Sequence, residues 1–136
     1  MESKREWVFG ACRASLEEPD VLLVEPGPTS LEVARFLVEL YRELGTQRPF
    51  FLLVKAVGNP LTVEARGYFR QHLRTEWFRA AFLIGAGIRV RAMGKALYVG
   101  GIFIRAWKAD IHYVDTEEEA RARVAQLRAE QAAPPG

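Results

Sequence analysis

His72, His112 and Cys12 are the side chains in this chain best suited to ligating a metal or attacking a substrate, so their surroundings decide what chemistry is open to it. The two histidines fall on different expected elements, with no cysteine partner and no carboxylate pair close in sequence. A zinc site or a nucleophile–His–acid triad needs such partners, so neither is expected. Their plainer places are a half-buried helix position and a strand surface. Cys12 is the only cysteine and stands in an apolar segment, where cysteine behaves as a small hydrophobe. Gly85-Ala86-Gly87 follows an apolar run and precedes an expected helix, the context of a dinucleotide loop. The third glycine that lets such a helix pack closely belongs at position 90, which is Val90. Gly94-Lys95 is not a phosphate-binding loop, because position 89 is Arg89 and Ala96 offers no hydroxyl to magnesium. No catalytic residue, metal or cofactor is expected. The aromatics Trp7, Phe50, Phe51, Phe69, Phe82 and Phe103 read as core.

Charge distribution carries the remaining signal. Between Ala65 and Ala109 stand Arg66, Arg70, Arg74, Arg79, Arg89, Arg91, Lys95, Arg105 and Lys108 against the single acid Glu76. That segment is +8 in a chain whose total is +2, so the rest is −6. Arg66, Arg70 and Arg74 are four apart and share a helix face, as do Arg91 and Lys95. A one-sided basic surface attracts an acidic protein, a nucleic acid or an anionic membrane. The competing reading is a solvated face that keeps the protein soluble.

These residues need elements to hold them. The chain has 136 residues, enough for one domain with its own core and no disulfide or metal staple. Apolar residues make up 49% and charged residues 26%, which excludes wholesale disorder. No apolar run reaches the ~18–20 residues of a membrane span, and the charged N-terminus lacks a signal-peptide core, so a cytoplasmic protein is expected. Residues 7–13 read as an edge strand, with a turn over Glu17 to Asp20. Val21 to Val24, Phe50 to Val54 and Ala80 to Ile84 are short apolar runs that suit buried strands, and Ile111 to Val114 is a last strand. The first helix opens at a Thr29/Glu32 capping box and closes at Gly45. The second starts near Thr62, capped by Asn59 or Thr62. A third is expected from Ile88 to Ile104, and a last from Thr116 with Glu119 as capping partner. Strand–helix alternation implies a mostly parallel sheet with right-handed crossovers. Leu37, Tyr41, Leu52, Val54, Phe69, Leu83, Val114 and Leu127 are the expected core.

The strand Phe50 to Val54, the segment Gly58-Asn59-Pro60-Leu61-Thr62-Val63-Glu64-Ala65-Arg66, the apolar strand to Ile84 and the ending Tyr113 to Ala120 resemble a SpoIIAA-like domain. These belong with the STAS domains, the anti-sigma-factor antagonists and their relatives, and this chain is most similar to an uncharacterised bacterial branch. The resemblance spans residues 7–127. It implies an α/β fold, SpoIIAA-like, with a mixed, mostly parallel five-stranded sheet and about four helices. It places a single domain over 1–131, with 132–136 as a disordered tail. The function it implies is that of a non-enzymatic regulatory module that docks a protein partner. In the antagonists an acidic strand end leads to a loop serine that a partner kinase phosphorylates. Here Lys55 takes the acidic position, Thr62 is the nearest hydroxyl, and Glu64 already supplies negative charge.

The expected docking and switch residues are therefore Asn59, Thr62, Glu64, Arg66, Arg70, Arg74, Arg91 and Lys95. Two other functions remain open. One is a carrier of a small apolar or lipid-like ligand, which needs an apolar cavity. The other is a binder of an anionic partner such as nucleic acid through residues 65–109, although no recognisable nucleic-acid motif is present. A homodimer is also left open.

Overall fold

A computed structural model of the chain describes residues 5–55, 62–85 and 111–132. A six-stranded sheet runs through them in chain order. Its strands are β1 (Arg5–Phe9), β2 (Cys12–Glu18), β3 (Val21–Glu25), β4 (Phe50–Lys55), β5 (Phe78–Ile84) and β6 (Ile111–Val114). Helix α1 (Leu31–Gln47) joins β3 to β4, α2 (Val63–His72) precedes a single 3-10 turn (Thr75–Trp77) and β5, and α3 (Glu117–Ala132) follows β6.

The sheet is mixed rather than mostly parallel, and it has six strands rather than five. The extra strand arises because residues 7–13 are not one strand. Gly10 turns the chain at φ 60, so β1 pairs antiparallel with β2 across a two-residue loop. Glu17 and Glu18, expected in a turn, lie in β2, and β2 pairs antiparallel with β3. The β3–β4, β4–β5 and β5–β6 pairs are parallel, the first two joined through α1 and α2. Three α-helices lie among the described residues, against about four expected. The expected helix at 88–104 falls outside the described residues, as do 133–136 of the expected tail; Ala132 ends α3.

Successive right-handed crossovers that advance in one direction across a sheet place their helices on one face. Accordingly α1 and α2 cover one face, against Leu22, Val24, Leu52 and Ala81. The alternate residues Val21, Phe51, Leu53, Ala80 and Phe82 point to the other face, where Ala120 and Val124 of α3 meet them. Of the expected core, Leu37, Tyr41, Leu52, Phe69, Leu83 and Val114 are buried. Val54 and Leu127 are half-buried at the margins of the two clusters.

Two helix-end expectations are corrected. The N-cap of α1 is Ser30, whose hydroxyl accepts from the Val33 N–H, because the Thr29 hydroxyl donates to the Gly27 carbonyl at 3.1 Å. Gly45 does not end α1, which runs two residues further to Gln47. It is a packing glycine: a Cβ there would collide with the Cβ of Trp77. The start of α3 is as expected, with the Thr116 hydroxyl accepting from the Glu119 N–H and the Glu119 carboxylate reaching back to the Asp115 N–H.

Candidate functional site

Helix α2 positions most of the expected docking residues that the structure describes. Thr62 caps it: the hydroxyl accepts from the Ala65 N–H at 3.0 Å, and its own N–H donates to the Thr29 carbonyl at 3.1 Å. These bonds anchor the start of α2 to the loop before α1. Ala65 and Phe69 bury the inner face. The outer face then follows from the 3.6-residue period. Val63, Arg66 and Arg70 stand three and four residues apart on one stripe, and Arg74 extends the basic character just past the helix end. All four are exposed, Val63 at 75%. Neither Arg66, Arg70 nor Arg74 makes an ion pair with another described residue. The other flank of α2 is aromatic: Tyr68 and His72 rings lie 4.1 Å apart, and the Arg35 guanidinium of α1 sits over Tyr68 at 5.9 Å.

Thr62 and Glu64 are exposed at the N-terminal turn of α2, so they share an element with the arginines. Asn59, Arg91 and Lys95 lie outside the described residues. Val63 was not singled out in the sequence. The signal for it was there, since it precedes Arg66 by three and Arg70 by seven, the spacing of one helical stripe.

One arginine of the basic segment does not belong to this surface. Arg79 on β5 points to the opposite face of the sheet, where it pairs with Asp20 at 3.0 Å and bonds Gln131 of α3. Its guanidinium lies 4.5 Å from the centre of the Phe51 ring. Asp20 also holds Arg128 at 2.7 Å, and Arg128 reaches Glu18. Along the same seam Arg121 bridges Glu17 and Glu117, and Lys55 bridges Glu25 at 3.5 Å and Glu117 at 3.1 Å. The bond from Glu117 holds the Lys55 ammonium above its ordinary range, and the Arg121 and Lys55 bonds hold Glu117 below the ordinary carboxylate range. Arg121 is raised above its ordinary range, chiefly by its bond to Glu17. Lys55 thus stands between two carboxylates and ties the β3 and β4 ends to α3.

The cysteine is buried against the core, and burial pushes its thiol up to about 11, which disfavours the nucleophilic thiolate. Among the described residues no three His, Cys, Asp or Glu side chains converge as a metal site would require. An open groove of about 330 Å³ lies between β1 and α1, lined by Trp7, Phe36, Leu40 and the polar Glu39, Arg42, Glu43 and Thr46. It is open to solvent, whereas a lipid carrier needs a closed apolar cavity. No helix among the described residues is long and apolar enough to cross a membrane.

Searches of family models, curated proteins and solved structures return no match to this chain.

Proposed function

We propose that this chain is a non-enzymatic, STAS-like interaction module that docks an acidic segment of a protein partner on the outer face of α2. The observation that carries this reading is the contrast in arginine pairing. Arg79, Arg121 and Arg128 each hold a carboxylate, whereas Arg66, Arg70 and Arg74 project from one exposed surface with none among the described residues. Unpaired guanidinium groups keep their capacity for bidentate bonds to carboxylates. Val63 adds an exposed apolar contact within the same stripe. Charged groups of this kind steer the partner's approach and set its orientation, and the apolar contact resists dissociation. Glu64 repels an anion at the N-terminal end of α2, so the acidic segment lies toward Arg70 and Arg74. The same repulsion argues against a phosphate on Thr62, whose hydroxyl already serves as the helix cap. Arg91 and Lys95, four apart in sequence, lie outside the described residues and belong to the same basic segment of the sequence.

The test is capture from an extract of the native host by the wild-type chain and by the Arg66→Gln, Arg70→Gln, Arg74→Gln triple variant, each with and without nuclease treatment. We expect a nuclease-resistant protein partner, recovered several-fold less by the variant and less by the wild type as salt is raised. Equal recovery by both chains removes the α2 face as the docking site. Loss of all recovery on nuclease treatment replaces the protein partner with nucleic acid.

A further inference from the structure

The edge of the sheet at β1 is complementary to itself, and we propose that two copies of this chain pair antiparallel through β1, centred on Trp7, to form a two-fold dimer with one continuous sheet. This goes beyond the α2 docking surface, from which β1 is separated by α1.

The main chain sets the register. Gly10 has φ 60 and Ala11 is not in the positive-φ region, which is the type II′ arrangement of a two-residue hairpin. The pair that closes such a loop, Phe9 with Cys12, exchanges both of its hydrogen bonds, and bonded pairs then alternate along the ladder. Trp7 with Ala14 and Arg5 with Leu16 are therefore the next bonded pairs. Glu6 and Val8 lie between them, so their N–H and C=O groups point away from β2, to the side where no strand lies among the described residues. An antiparallel copy centred on Trp7 sets Glu6 opposite Val8 of the other copy, and Val8 opposite its Glu6. Both outward N–H groups and both outward carbonyls are then paired in each chain, giving four main-chain hydrogen bonds. Centring on Glu6 instead brings two carboxylates face to face.

The side chains agree with that register. Val8 is 65% exposed and Phe9 39%, β1 carries no proline, and its exposed charges Arg5 and Glu6 are of opposite sign, so they do not repel a second copy as a run of lysines would. On the open face of the sheet, Val8 lies beside Arg13 of β2. Pairing about Trp7 therefore places Glu6 next to Val8 of the second copy and one strand away from its Arg13, opposite in charge. On the α1 side, Trp7 meets Trp7 at an unbonded position, where cross-strand side chains come closest, and Arg5 meets the Phe9 ring. Such an interface is isologous and closes after two copies.

Sedimentation equilibrium of the full chain from micromolar to millimolar concentration tests this. The expected mass rises from the 15.4 kDa of one chain toward twice that value. Val8→Pro removes only an outward N–H and is expected to stay at one-chain mass, with the circular dichroism and melting curve of the wild type, since edge positions accept proline. Glu6→Lys, at an exposed site, serves as a second variant and is expected to dissociate the dimer at least several-fold more readily. Amide exchange reads the register: protection of Glu6 and Val8 should grow with concentration, while Arg5, Trp7 and Phe9 remain protected throughout. A wild-type chain that stays at one-chain mass overturns the proposal. So do folded variants that associate as the wild type does, and concentration-dependent protection that omits Glu6 and Val8.

Discussion

Helix α1 buries eight residues, from Val33 to Gly45, between the sheet, α2 and the 3-10 turn, whereas α3 meets the opposite face through buried Ala120 and Val124 and half-buried Leu127. The second attachment is completed by charge: Arg121 to Glu17, Arg128 to Asp20 and Glu18, Lys55 to Glu117. On the α1/α2 side the apolar cluster already holds the helices; Arg42 there pairs only with its helix neighbour Glu39, and Arg66, Arg70 and Arg74 hold no carboxylate among the described residues. Packing thus decides what a guanidinium is for. Where apolar contact is thin the guanidinium joins elements far apart in the chain, and where apolar contact is ample those of α2 hold no described carboxylate.

The largest expected effect lies in the apolar half. Leu52 is 5% exposed and packs beneath α1 and α2. Leu52→Ala is expected to cost about 2–5 kcal/mol in denaturant unfolding, through lost transfer energy and the cavity left behind. The loss should be insensitive to salt. A loss below about 0.5 kcal/mol would mean that the α1/α2 cluster is not the main anchor, and the comparison between the faces would fail.

The ionic half should respond less, and differently. Asp20 is held by Arg79 and Arg128, with side-chain exposures of 15%, 26% and 38% respectively. Asp20→Ala leaves two partly buried guanidinium groups without their shared carboxylate. Breaking a fully buried pair costs roughly 3–5 kcal/mol and an exposed one under 1, so about 2 kcal/mol is expected here. Half-molar salt should narrow the gap between wild type and variant, in contrast to Leu52→Ala. A gap unchanged by salt would show that Asp20 acts through packing.

The order of the described strands from β3 onward and of their helices was legible because each apolar run is short and bounded by turn residues. Parallel pairing of β3, β4, β5 and β6 followed from those connections. The β1–β2 hairpin was missed although Gly10 marked it, since a two-residue turn inside an aromatic stretch looks like uninterrupted strand. Gly45 was misplaced because its reason is Trp77, a residue on another element. The arginine face of α2 could be read from local spacing. Arg79 could not be separated from it, because its partner Asp20 lies 59 residues away, and Arg128 reaches the same carboxylate across 108 residues. Local periodicity finds faces; it does not find which charges are spent across the fold.

A smaller effect comes from titrating the seam. Glu117 is held below its ordinary value of 4.5, so its contribution to stability is present above that value and is lost as pH falls through the lowered folded value. Lys55 is held above 10.5, so its contribution is present below that value and is lost as pH rises through the raised folded value. These side chains are 30% and 41% exposed, so each pair contributes under about 1 kcal/mol. The stability difference between wild type and Glu117→Gln should be largest near neutral pH and shrink below 4.5. A difference that persists unchanged at pH 3 would assign Glu117 a packing role in place of an ionic one.

The smallest expected effect on stability belongs to the α2 arginines, and it sharpens the comparison most. Arg66, Arg70 and Arg74 are exposed and hold no carboxylate among the described residues, so neutralising them removes no internal bond. Arg70 lies in the last turn of α2, where a cation favours the helix dipole by a few tenths of a kcal/mol. The triple glutamine variant is therefore expected to melt within a few degrees of the wild type, since exposed substitutions usually stay within about 0.5 kcal/mol each. It loses partner capture under the same conditions. Asp20→Ala should do the reverse, lowering the melting temperature while sparing capture at temperatures where the fold persists. That double dissociation separates arginines that hold the fold from arginines that meet a partner. A triple variant that melts far below the wild type would place the α2 arginines in the structural class, and the two charged regions would no longer differ in kind.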